Sequence, residues 1–270
     1  MSDNPGSTPT PPEGRITRER QGAVYLIGFD RPAKFNGFTP EMLDGLAEAY
    51  TEYEQDDDLR CALVFAHGPN FTAGIDLPRC AHLFREGRTL FPPGKVDPFG
   101  LYAPIRTKPI VYAVQGICFT LGIELLLAGD ITVAASNTRF SQLEVKRGIM
   151  ASAGATIRMT ERAGWGNAML CLLAGGEFDA ETALRYGFIQ DIVDPGQQFD
   201  RGLGIAETIA DQAPLAVREM IRSARKSVEE GPMAATAELR ERQEFLAHTE
   251  DAAEGIRSFE EKRPAAFKGR

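Results

Sequence analysis

A chain of 270 residues is long enough to bury a sizeable core in one large domain with an appendage. Its 43% hydrophobic and 25% charged content is that of an ordinary soluble globular protein, and a net charge of −8 without a long basic run leaves no footprint for nucleic acid. No apolar run approaches the ~18 residues of a membrane span. Cys61, Cys80, Cys118 and Cys171 lie far apart, with no CxxC pair and no Cys/His cluster. That spacing predicts neither a zinc site nor a disulfide framework, but free thiols in a reducing, cytoplasmic setting.

Residues 1–14 are rich in Pro, Ser, Thr and Gly and lack the apolar stretch of a signal peptide, so they read as a disordered tail. From Gly22, short apolar strands alternate with amphipathic helices. A strand is expected over Ala23 to Phe29. A helix follows over Pro40 to Tyr53, with Thr39 as N-cap and proline at the first position. Next come a strand over Cys61 to Ala66, a helix over Leu77 to Arg85 capped by Asp76, and a mobile Gly/Pro-containing loop over Gly87 to Pro98.

Ile110 to Val114 reads as a buried strand that Gly116 breaks, and Thr120 is placed to cap a helix running to about Ala128. A strand over Ile131 to Ala135 and a helix–strand pair over Ala180 to Tyr186 and Ile189 to Val193 complete a first section. Beyond Gly196 helical patterns fill 199–212, 214–229, 232–247 and 251–262. Alternation followed by a helical tail predicts an α/β core over 15–196 and a helical subdomain over 197–270. Spacing alone leaves a doubly wound sheet and a spiral of ββα turns equally open.

The chemistry-bearing residues concentrate in a few segments. Glu124 sits about one turn inside a helix whose neighbours are Ile123, Leu125, Leu126 and Leu127. Glu144 follows twenty residues later, beside Lys146 and Arg147 as ion-pair candidates. Two carboxylates in one site can hold a water between them, one taking and one giving a proton. His67, His82 and His248 have no nucleophile beside them, and no GxSxG, P-loop or GxGxxG sequence is present.

Five stretches in order carry a family resemblance: Arg31-Pro-Ala-Lys-Phe-Asn36, Phe71-Thr-Ala-Gly-Ile-Asp76-Leu77, Gln115 to Asp130, Phe140 to Arg158, and the tail Glu254-Gly-Ile-Arg-Ser-Phe259-Glu-Glu-Lys262. Together they resemble the enoyl-CoA hydratase/isomerase (crotonase) superfamily. The resemblance implies a crotonase-like ββα spiral core with a C-terminal α-helical oligomerisation subdomain, and a homo-oligomer, trimer or hexamer. The expected ligand is an acyl-CoA substrate, with coenzyme A part of that substrate and no separate cofactor, metal, nucleic acid or membrane partner.

It places an oxyanion hole on the backbone N–H groups of Ile75 and Leu121. A paired acid and base fall on Glu124 and Glu144. Substrate contacts fall on Lys34, Ala73, Asp76 and Leu77, and a neighbouring subunit's CoA site is completed by Phe259 and Lys262. Retention of both glutamates favours hydration of an enoyl-CoA over isomerisation, decarboxylation or thioester hydrolysis on the same scaffold, and over a non-catalytic acyl-CoA-binding role. Two departures stand out. The usual glycine triplet is Thr120-Leu121-Gly122, and the loop after Glu144 lacks its usual proline and one glycine.

Overall fold

The computed structural model describes residues 12–87 and 89–270. Six strands form the main sheet: β1 (Arg15–Gln21), β2 (Val24–Asp30), β3 (Cys61–Ala66), β4 (Ile110–Val114), β6 (Ile131–Ala135) and β9 (Asp191–Val193), in the order β1-β2-β3-β4-β6-β9. Only the β1–β2 pair is antiparallel. The central strands are nearly all apolar because both faces are covered, so β2 and β4 are buried at every position. A second sheet of three short strands holds β5 (Ile117–Phe119), β7 (Arg139–Ser141) and β8 (Phe178–Asp179).

This arrangement settles the question that spacing left open. After β4 the chain crosses to β5 and then enters α3 (Leu121–Ala128); after β6 it crosses to β7 and then α4 (Ala155–Ala163). An isolated bridge between Thr72 and Cys118 lays the 71–72 segment beside β5, ahead of α2 (Leu77–Arg85), so three ββα turns stack in succession. The expected spiral is present and the doubly wound alternative is not.

Helix α1 (Pro40–Gln55) begins as the sequence indicates: the Thr39 hydroxyl accepts from Met42 N at 3.3 Å and donates to Glu13 O at 2.8 Å. It buries Met42, Leu43, Leu46, Tyr50 and Tyr53, the i, i+3, i+4 stripe of an amphipathic helix. The Tyr50 and Tyr112 hydroxyls meet at 2.5 Å, and Tyr53 donates to Pro109 O at 2.7 Å, so the large buried rings carry their polar tips to partners.

Several expectations need correction. Asp76 makes no side-chain cap for α2; its carboxylate accepts instead from the buried Arg31 guanidinium at 2.8 Å. Thr120 does not cap α3 either, having φ 47 and no side-chain bond to the helix. Most of the predicted tail lies outside the described residues, but 12–14 are held, with Pro12 O accepting from Arg31 Nε and Glu13 O from Thr39.

The loop expected to be mobile over Gly87 to Pro98 is hydrogen-bonded at its end and just beyond it, over 96–102. Val96 N donates to Thr51 Oγ1, and the Asp97 carboxylate accepts from the N–H groups of Phe99, Leu101 and Tyr102, each at 2.9 Å. Just past the expected boundary at 196/197, helix α7 (Gln198–Ala210) packs Ala206 and Ala210 onto Leu26, Leu63, Val111 and Ala113 of the main sheet.

Helices α5 (Trp165–Ala174) and α6 (Ala180–Arg185) precede α7, and α8 (Pro214–Glu230), α9 (Pro232–Ala247) and α10 (Glu250–Glu261) follow it. No residue of α8 is buried, and Met220, Met233, Ile256 and Phe259 stand exposed on this section. Among the described residues, no helix is long and apolar enough to cross a membrane.

Candidate active site

The segment 71–76 is hydrogen-bonded almost continuously. Phe71 N donates to Gln115 O, Thr72 N to Ile117 O, Ala73 N to Phe35 O, Gly74 N to Thr72 Oγ1 and Asp76 N to Phe38 O, all between 2.8 and 3.0 Å. The exception is Ile75, whose N–H finds no acceptor among the described residues. An unpaired backbone donor in a well-bonded segment calls for an explanation, and here it sits on the wall of a cavity.

A second such donor faces the same space. At the start of α3, Thr120 N donates to Ser141 O, while Ile123 N and Glu124 N both reach Thr120 O. That leaves Leu121 N among the free N–H groups of the first turn, where the helix dipole favours an anion. The leucine that replaces a family glycine is 1% exposed, with its side chain in the core, so it does not obstruct its own N–H. Gly74 and Thr120 touch: a Cβ on Gly74 would overlap the Thr120 hydroxyl. The two donor-bearing segments are therefore packed against each other with only the Thr120 side chain between them.

The cavity has a volume of about 190 Å³ and is lined by Ile75, Leu121, Glu124 and Glu144 together with Ala73 and Leu77. Glu124 is 4% exposed, and its Oε1 accepts from Ala153 N at 2.7 Å and Ala155 N at 3.2 Å. Burial pushes this carboxyl up to about 7; the two backbone donors oppose the rise and the Glu144 charge adds to it.

Glu144 opens a short 3-10 turn, Glu144–Arg147, and its carboxyl is also raised by burial. With its amide nitrogen turned toward it, the buried Gln142 donates to both Glu144 oxygens at 3.2 and 3.3 Å. Neither Lys146 nor Arg147 forms an ion pair with Glu144, so the neighbouring cations do not neutralise it. Two carboxyl groups with raised affinity for protons thus share a small cavity with two free backbone N–H groups. Such a site can stabilise an oxyanion and handle a proton on either side of it.

Of the residues singled out in the sequence, Ala73, Ile75, Leu77, Leu121, Glu124 and Glu144 are brought together. Asp76 is not: its carboxylate is engaged by Arg31 and its N–H by Phe38 O. Lys34 is exposed and outside the cavity wall, on the turn that Phe35 O fastens to Ala73 N. Phe259, 85% exposed on α10, and Lys262 just beyond it lie off the cavity of their own protomer.

Sequence reasoning missed three contributors. The Ala153 and Ala155 amides are backbone groups with no side-chain signature. Gln142, two residues before Glu144, sits where a donor to that carboxylate belongs.

The sequence profile described as Enoyl-CoA hydratase/isomerase matches residues 19–270. The chain belongs to the enoyl-CoA hydratase/isomerase family. Enoyl-CoA hydratase EchA19 of Mycobacterium tuberculosis is 30% identical over 93% of this chain and 96% of its own. A carnitinyl-CoA dehydratase of Salmonella paratyphi A is 31% identical over 93% and 97%. Among solved structures, a probable enoyl-CoA hydratase/isomerase from Mycobacterium abscessus superposes with a TM-score of 0.91 at 45% identity, covering 94% of this chain and 98% of that one. The crotonase fold is thereby established, and with it an enzyme of a family that acts on acyl-CoA thioesters.

Proposed function

We propose that this family member is an enoyl-CoA hydratase. The observation that carries the reading is the presence of two buried or half-buried glutamates, Glu124 and Glu144, in one cavity with the free N–H groups of Ile75 and Leu121. A thioester oxygen bound by the two N–H groups gains negative charge as the enolate forms. Preoriented backbone donors stabilise that charge with little reorganisation. A water held between the carboxyls adds its oxygen to the β-carbon, while a proton passes to the α-carbon. One group must give a proton and the other take one, and two carboxyls that share a proton near neutral pH supply both.

Isomerisation needs a single carboxylate to move a proton along the acyl chain. Burying a second, with the desolvation cost that raises both pKa values, would then be without purpose. The deciding experiment is product identity with crotonyl-CoA. Loss of the conjugated-thioester absorbance, with a product heavier by one water and no free thiol, supports hydration. Release of CoA thiol, or a shifted double bond at unchanged mass, rejects it.

The carrier would approach from the side of the exposed Lys34 and of Arg147, which lines the cavity mouth. Phe259 and Lys262, unused within the protomer, would complete a neighbour's CoA site in a trimer or hexamer. The exposed Trp165, Leu170 and Leu173 of α5 and Met220 of α8 give such an assembly apolar surface to bury. Light scattering is expected to give three or six times the 29.5 kDa protomer mass, and a stable, fully active monomer would refute the assembly. Four buried free thiols fit the cytoplasm as its place of work.

A further inference from the structure

Beside the cavity that holds the two glutamates lies a second one, of about 470 Å³, and the two share Phe84, Leu90, Ser152 and Ala153 as walls. The shared wall stands at the reacting end of the site, because Ala153 is the residue whose N–H holds Glu124 Oε1. An acyl group with its thioester oxygen on the Ile75 and Leu121 N–H groups and its β-carbon at the glutamates reaches this shared wall.

The second cavity is apolar and aromatic. Phe84, Phe91, Phe99 and Tyr102 line it, with the Phe91 and Phe99 ring centroids 5.1 Å apart. Its charged lining residues are accounted for. The Asp97 carboxylate is spent on three backbone N–H groups of its own loop. Lys95 also borders a surface cleft that holds Glu48, Glu52 and Asp56.

The wall is also fixed in place. Besides the Asp97 turn and the Val96–Thr51 bond, the Arg158 guanidinium on α4 donates to Phe99 O at 2.6 Å. The Arg158 guanidinium also crowds Gly154, the residue between the two amides that hold Glu124, so closely that a Cβ there would overlap it. One side chain thus braces both the aromatic wall and the turn that positions the carboxyl. A preformed apolar pocket of this kind binds without the cost of ordering it first.

We infer that the second cavity seats the acyl group, and that the preferred acyl group carries an apolar ring or branched body beyond its β-carbon rather than a short straight chain. The inference rests on the thioester reading of the site proposed above. A crotonyl group ends at the shared wall and leaves the aromatic pocket unfilled. A long straight chain can enter it and touch the rings, but it freezes more rotatable bonds on binding and makes no ring–ring contact. A ring-bearing group meets Phe84, Phe91 and Phe99 with the offset or edge-on contacts that aromatic pairs favour.

The test separates binding from turnover. Calorimetry with the full chain compares butanoyl-CoA, straight-chain undecanoyl-CoA and 5-phenylpentanoyl-CoA, saturated thioesters that cannot be hydrated. Each buried methylene is worth about fourfold in affinity. The phenyl thioester is therefore expected to bind at least ~10² tighter than butanoyl-CoA, and tighter than its straight-chain counterpart of equal carbon count. Equal affinity for butanoyl-CoA, or equal or tighter binding of undecanoyl-CoA, overturns the inference.

Ser152→Phe, which puts a ring at the shared wall, is expected to collapse the phenyl-to-butanoyl ratio toward one; an unchanged ratio would place the acyl group elsewhere. Should that variant fail to fold, the wild-type comparison decides alone. Tight binding of the phenyl thioester without hydration of its 2-enoyl form would reject the hydratase reading and leave the pocket assignment standing. Hydration without acyl preference would do the reverse.

Discussion

Replacing Glu124 or Glu144 by glutamine is expected to lower kcat by at least ~10², the usual loss when acid–base assistance is removed. The double substitution should lose little more than the worse single one, because the two groups act on one water as a unit. Glutamine is a fair probe at position 124, since its amide oxygen can still accept from Ala153 N and Ala155 N and hold the turn in place. Near-normal kcat in either single variant would sink the two-carboxylate mechanism.

The same variant has a pH signature. Burial moves Glu124 from an ordinary value of 4.5 up to about 7, so the folded protein holds a proton there that the unfolded chain has released. A raised carboxyl stabilises the fold fully below about 4.5, and that contribution is lost as pH rises through about 7. Glu124→Gln cannot ionise and lacks this dependence. Its urea midpoint relative to wild type should therefore rise in the variant's favour across that interval. Activity should follow the same proton: kcat/KM falls on the alkaline side as the pair gives up the proton it shares, with apparent pKa values that belong to the pair.

How much of this was legible in the sequence differs from element to element. Strands β2 and β4 announce themselves as continuous apolar runs because both faces are covered. Strand β1, Arg-Ile-Thr-Arg-Glu-Arg-Gln, does not, since it is an exposed edge strand paired only with β2 and has no buried face to pattern it. β5 and β7 span three residues each, too short for any period to show. The pattern of α7 resembled that of the helices after it, and only packing shows that it covers the main sheet while α8 does not.

In the site, Glu124 stood out because a carboxylate inside an apolar helix demands a reason. The Ile75 and Leu121 N–H groups could be named only through family resemblance, because a backbone donor leaves no mark in composition. What the structure adds is the reason they are free: every other amide of 71–76 is engaged. The acyl pocket was the least legible part, because its walls come from Phe84, the 89–103 loop and the turn at Ser152, which no periodicity links.

The second large effect is expected from a single methyl group. Gly74 has φ 96, a conformation that side chains resist, and a Cβ there would overlap the Thr120 hydroxyl. Thr120 is itself held at φ 47, one residue before the Leu121 donor, and Gly74 lies one residue before the Ile75 donor. Gly74→Ala must therefore either turn the Thr120 hydroxyl aside or push apart the two segments that carry the proposed hole, and the strained φ itself costs about 1–3 kcal/mol. Losing alignment of one oxyanion donor costs ~10²–10³ in kcat, so a fall of that size is expected with KM much less affected, because the interaction strengthens only as charge develops.

A second substitution tests the cause. Thr120→Gly removes the hydroxyl and suits the positive φ, so the Gly74→Ala/Thr120→Gly double variant should recover part of the lost kcat. Recovery would tie the defect to contact between the two segments rather than to general destabilisation, which adding a glycine would worsen. If Gly74→Ala folds and turns over at the wild-type rate, the contact between Gly74 and Thr120 does not set the alignment of the Ile75 and Leu121 donors.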